Sequence, residues 1–192
     1  MGSISSILLV AGAVFGICFL VDKGFTKAFR SQVQHQSGLS VRPNKKYGAF
    51  GLILVVLGLA AVFAGLNDDT VLLVGGCVVI VLGIGLAIYY LSTGLFYDEE
   101  SFLYLSFGKK SRTYYYRDIQ AQQLYNAQGN LVVELYMTDG TSVHVHGNMV
   151  GSFDFLDKAF SGWCAQKGIA AEDCPFHDPA NSCWFPSVSE EN

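Results

Sequence analysis

The chain has 192 residues, 51% of them hydrophobic and only 15% charged, with a net charge of −4. Soluble globular chains carry roughly 25% charged residues, so the shortfall points to a membrane protein. No Lys/Arg stripe is present, which excludes nucleic acid as a partner.

Three stretches hold the apolar excess: Ile4 to Val21, Gly48 to Leu66 and Thr70 to Leu91. None contains Asp, Glu, Lys, Arg or His. Each runs for about 18–22 residues, roughly 27–33 Å as helix, which matches a bilayer's hydrocarbon core. A buried soluble helix of that length would show a polar face, so three transmembrane helices are expected. The first lacks a basic segment ahead of it and an Ala-x-Ala-like site behind it, so it reads as a permanent span and not a signal peptide.

The loop of residues 22–47 carries Lys23, Lys27, Arg30, Arg42, Lys45 and Lys46, whereas Asn67-Asp68-Asp69 carries no positive charge. The positive-inside rule then places the loop in the cytoplasm, the N-terminus outside and everything after the third span in the cytoplasm. Phe25, Phe29 and Val33 recur at four-residue spacing, an apolar stripe that extends the first helix towards Gly38. Asn44 is the expected N-cap of the second helix. Gly12 with Gly16, and Ala61 with Gly65, are small-xxx-small pairs that favour close helix packing, within one chain or between copies. With no ionisable residue at membrane depth, the bundle reads as an anchor and not an ion pathway.

Alternation replaces continuous apolarity from Leu95 onward. Strands are expected around Phe96-Tyr97 and over 102–107, 113–117, 119–126, 131–137 and 142–146. Turns fall at 98–101, 108–110 and 128–130, and Asp139-Gly140 reads as a type I′ hairpin turn. A helix follows from an N-cap at Ser152, with Phe153, Leu156, Phe160 and Trp163 or Cys164 on its apolar face and Gly168 at its end. The fold class is an α+β membrane protein: a transmembrane domain over 1–93, a small antiparallel β domain closed by an amphipathic helix over 94–168, and a tail over 169–192.

The run from Gly94-Leu95-Phe96-Tyr97-Asp98 to Tyr116-Arg117-Asp118-Ile119 resembles the opening of bacterial pleckstrin-homology-like (PH-like) domains, over about 75 residues of the chain. There a strand leaves the membrane, a short basic turn follows, and a Tyr-x-Asp-Ile-like strand end enters the core. The resemblance implies a curled meander plugged by the C-terminal helix, fused to a few transmembrane helices in a bacterial plasma membrane. By analogy with phosphoinositide-holding relatives, Lys109, Lys110 and Arg112 form a candidate site for an anionic lipid head group. A solvated, charged turn is the plainer reading of those three residues.

Two other constellations contain metal-ligating residue types. His144 and His146 share a strand face but lack a third ligand, which suits a wet sheet face better than a metal. Cys164, Cys174, His177 and Cys183 make a Cys3His set, but their spacing matches no standard zinc knuckle. The tail is expected to be disordered or laid along the domain, with Trp184 and Phe185 docking on it or on a partner. No cofactor and no catalytic motif in its required setting are found. The reading is therefore a non-enzymatic, membrane-anchored cytoplasmic module that binds a protein or peptide partner or another copy of itself. A membrane sensor or transport-accessory subunit and a lipid head-group reader are the alternatives.

Overall fold

The computed structural model describes residues 34, 37–66, 69–108 and 110–188. The expected first span, the Phe25/Phe29/Val33 stripe, the Gly12/Gly16 pair and Lys109 lie outside the described residues. Among the described residues the chain is α+β, with three helices and two antiparallel sheets. It divides into two compact units, one of residues 44–66 and 69–93 and one of residues 34, 37–43 and 94–188.

The first unit is a helical hairpin. Helix α1 (Lys45–Gly65) starts where Asn44 Oδ1 accepts the Lys46 N–H at 3.1 Å, the cap its sequence predicts. Helix α2 (Thr70–Ser92) starts where Asp69 Oδ1 accepts the Leu72 N–H. Both are long and apolar enough to cross a membrane, and only 17% and 11% of their most apolar windows are buried. A core helix of a soluble protein would be mostly buried. Here Phe63, Val71 and Val81 point outward at 69%, 83% and 69% exposure, which suits a hydrocarbon solvent.

Glycine sets the distance between these helices. Gly51 faces Gly83, Gly58 faces Gly76 and Gly65 faces Leu73, so the helices run antiparallel with a seven-residue repeat along the seam. A Cβ on Gly83 would sit 2.5 Å from the Gly51 carbonyl oxygen, and one on Gly58 would sit 2.8 Å from that of Gly76. Such approach is the means by which helices associate where lipid removes the hydrophobic drive. Tyr90 packs on Gly48 and is only 9% exposed, so it belongs to this seam, while Tyr47 and Tyr89 stay outward.

The second unit holds seven strands: β1 (Ser40–Val41), β2 (Gly94–Tyr97), β3 (Ser101–Leu105), β4 (Arg112–Tyr115), β5 (Ile119–Ala127), β6 (Asn130–Met137) and β7 (Ser142–His146). They form a four-stranded sheet, β1-β2-β3-β4, and a three-stranded sheet, β5-β6-β7. The segment 37–43 falls with this unit, where the sequence had suggested part of a membrane-side loop. Ser40–Val41 pairs with Leu95 and Phe96, Val41 is fully buried, and Arg42 bridges to Val150 beyond β7.

Two turns exchange roles relative to the sequence expectation. Gln128 and Gly129 both have positive φ, 52° and 78°, and close the two-residue β5–β6 hairpin. That is the primed-turn geometry. At Asp139-Gly140 only Gly140 is left-handed, and its N–H bonds the Met137 carbonyl at 3.0 Å. The longer loop is a turn with a glycine bulge.

Helix α3 (Ser152–Lys167) lays Phe155, Leu156, Ala159, Phe160, Trp163 and Cys164 into the core. Its cap corrects the expectation. Gly151, at φ 82°, precedes the helix, and Ser152 is its first residue, with its hydroxyl donating to the Gly147 carbonyl. A side chain on Gly151 would press on the Ser40 carbonyl, so β1 dictates glycine there. Phe155, not Phe153, is the core residue of the first turn; Phe153 stays 46% exposed. Gly168 ends the helix in the left-handed region, as expected, with the Ile169 N–H on the Cys164 carbonyl.

Gly162 lies inside α3, where glycine costs about 1 kcal/mol relative to alanine. A Cβ there would come within 2.4 Å of the Tyr116 ring, whose hydroxyl donates to the Asp98 carbonyl at 2.7 Å. Gly162→Ala is therefore expected to lower stability by about 1–3 kcal/mol despite its better helix propensity. Thermal unfolding of the full chain in detergent measures this, and a gain in stability would refute the packing account.

Candidate functional site

Of the basic hairpin, Lys110 and Arg112 are among the described residues. Lys110 is exposed, but the Arg112 guanidinium sits 3.0 Å from Asp139 and lies over the Tyr114 ring. Hydrogen bonds from the Thr141 hydroxyl and backbone hold the Asp139 carboxyl below the ordinary carboxylate range, with Arg112 adding to them. A carboxylate at this spot opposes a phosphate.

His144 and His146 stand with Tyr125, Glu134 and Ser142 on the three-stranded sheet. The Tyr125 hydroxyl meets His144 Nδ1 at 3.0 Å, and His144 Nε2 is 3.8 Å from Glu134. Burial first, and then His144, pushes His146 below the usual imidazole value. Among the described residues no three His, Cys, Asp or Glu side chains converge as a metal-binding group. Cys164 and Cys174 are buried neighbours in the core, His177 stacks flat on Phe160 at 3.6 Å between centroids, and Cys183 Sγ points to the Asn181 carbonyl.

The most constructed site centres on a buried amide in β5. Gln122 is 2% exposed and sits in β5 opposite Leu135. A buried amide must find partners, and Gln122 finds them in the tail. Its Oε1 accepts the N–H groups of Trp184 and Phe185 at 2.9 and 3.0 Å, and its Nε2 donates to the Ser182 carbonyl at 3.0 Å. The Gln122 backbone N–H donates to the Pro186 carbonyl at 2.7 Å, and the Val188 N–H donates to the Gln122 carbonyl at 3.1 Å. The tail thus meets the outer edge of β5 in a single parallel bridge, with Ser187 opposite Gln122.

All three side-chain bonds of Gln122 go to backbone atoms, so the grip is indifferent to the identity of the side chains it holds. Specificity comes from two rings. Trp184 and Phe185 are each 1% exposed, and Phe185 meets Phe160 and Trp163 edge-on. The Trp184 indole N–H donates to Asp157 of α3 at 2.6 Å. Burial of each such ring contributes about 2–3 kcal/mol. Beside this segment a half-open cavity of about 450 Å³ is lined by Gln123, Leu124, Phe176, Cys183 and Val188, among others.

Sequence periodicity hides Gln122. Alternation from Ile119 would turn residues 121 and 123 inward, but the register shifts between Ile119 and Ala121, and this bulge turns Gln122 and Leu124 inward. The tail's two aromatic residues were the one legible sign. Comparison of the chain with protein-family models, with curated proteins and with solved structures finds no match.

Gln122→Leu keeps the bulk but strands two N–H groups and one carbonyl, at about 1–3 kcal/mol for each group left unpaired. Hydrogen exchange should show residues 182–188 opening before the rest of the unit; uniform protection would refute the clamp. Gln122→Glu should destabilise at neutral pH and recover as pH falls, because only the protonated carboxyl supplies both a donor and an acceptor.

The thiols give a separate check. Burial, with Cys174 adjacent, pushes the Cys164 thiol up to about 11. A thiol raised in the fold adds stability at pH below the unfolded value near 8.5, and that stability is lost as pH climbs towards the folded value. Alkylation at pH 8.5 is expected to label Cys183 well before Cys164, and equal rates would contradict the burial.

Proposed function

We propose that this chain is a membrane-anchored interaction module: its helices hold it in a bilayer, and its β unit recognises an extended peptide along the edge of β5. The observation that carries this reading is Gln122, a buried side chain whose hydrogen bonds all go to the backbone of an extended segment. Backbone bonds supply affinity and flanking pockets supply selectivity in recognition by strand addition. The PH-like resemblance supports the same reading, since an antiparallel meander followed by an amphipathic helix is the order it implies. On the charge rule the module is multi-pass, with its N-terminus outside and the β unit on the cytoplasmic side.

The lipid head-group reading has less support. Residues 94–192 carry six Lys and Arg against thirteen Asp and Glu, a net charge of −7. An anionic membrane surface attracts basic segments at about 1 kcal/mol per residue and repels acidic ones.

Crosslinking in native membranes tests the interaction reading. The full chain and a version ending at Ser92 are captured under the same conditions. Crosslinked species, whether with another protein or with a second copy, are expected to vanish with the β unit. Retention of the same species by the helices alone would overturn the proposal.

A further inference from the structure

The segment seated on β5 identifies one ligand that fits it: the chain's own Ser182–Val188. Every copy of the protein carries both the groove and the segment that fills it. We propose that the tail is an exchangeable strand, and that Cys174–Val188 of one copy seats on β5 of a second copy, reciprocally, to form a dimer. This rests on the reading of the β5 edge as a recognition site and names its partner.

Three observations carry the exchange. The first is the grip itself. Gln122 and the β5 backbone hold the tail through five hydrogen bonds to main-chain atoms, and Trp184 and Phe185 fill sockets beneath α3. None of these contacts depends on which copy supplies the tail. The second is the connector. Gly168 to Asp173 is exposed at every residue, directly after the helix end and before the buried Cys174. Six residues span about 20 Å when extended, and straightening them costs the Ile169 N–H bond that caps α3 and the short turn at Ala171–Asp173, but moves no buried side chain. The third is the edge. An uncovered β5 would expose unpaired main-chain groups and a desolvated amide, so the empty groove is disfavoured whether the tail comes from the same copy or another. Exchange of an identical element is a low-cost route to dimers for this reason.

Two full-length copies with different affinity tags, co-expressed in one membrane, test this. One carries the photo-crosslinker p-benzoylphenylalanine in place of Gln123, an exposed residue that lines the cavity beside Val188. Illumination is expected to give an adduct of twice the monomer mass that bears both tags. Its crosslinked peptide should map to residues 174–188 of the other copy. Trp184→Ala with Phe185→Ala in the copy that lacks the crosslinker leaves the other copy's groove intact and removes the two rings that anchor the exchanged tail, so the adduct bearing both tags should fall severalfold. Tail adducts found only at monomer mass would overturn the exchange. Adducts to an unrelated protein would also overturn it, yet leave the interaction reading standing. That reading fails separately, if the helices alone keep every partner.

Discussion

A buried glutamine amide organises the β unit. Gln122 was taken out of water with two hydrogen-bonding ends, and each end costs free energy unless a partner reaches it. The partners come from residues about sixty positions further along the chain, at Ser182, Trp184 and Phe185. Once the tail is there, Trp184 and Phe185 are fixed under α3, Phe160 and Trp163 gain an aromatic neighbour, and the β5 edge gains two backbone hydrogen bonds at Gln122. Without the amide, β5 would hold the main chain of the tail only through the backbone of residue 122, which bonds Pro186 and Val188. A leucine at the same place would pack as well and direct less.

The two units meet opposite solvent problems with opposite means. In the β unit, polar atoms are costly to bury and large side chains do the packing, so aromatic rings crowd the core around Phe102, Tyr116 and Phe155. In the helical hairpin, large apolar side chains such as Phe63 and Val71 face outward, and the contact between helices is made by taking side chains away. Gly51, Gly58, Gly76 and Gly83 bring backbone against backbone, where a single methyl would meet a carbonyl oxygen. Glycine is a poor helix former in water, yet its cost is met where every main-chain hydrogen bond is already made within the helix and nothing competes for it.

How much of this is written in the sequence depends on the range of the interaction. Helices α1 and α2 announce themselves by length and purity, and the start of α1 agrees with Asn44 because caps are local. The strands of the β unit were legible from alternation and turn residues. What escaped was non-local. Ser40–Val41 is a strand only because Phe96 and Leu95 pair with it. Gly151 replaces Ser152 as cap because a β strand passes over it. The primed turn moved from Asp139-Gly140 to Gln128-Gly129 because register, not the favoured dipeptide, fixes loop length. Gln122 was invisible because a bulge changed which face it lies on. The tail was half legible: its two aromatic residues signalled docking, but not where.

The same non-locality bears on association. A tail that folds back through an exposed connector makes the same contacts in its own chain as in a neighbour, so enthalpy and burial cancel between the two arrangements. What remains is entropy: a short flexible tether holds its own tail at an effective concentration in the millimolar range. A second copy must match that figure to compete. On the proposed reading, confinement of the helices to a bilayer raises the local concentration of copies, and any strain in the connector from Gly168 to Asp173 lowers the advantage of the chain's own tail.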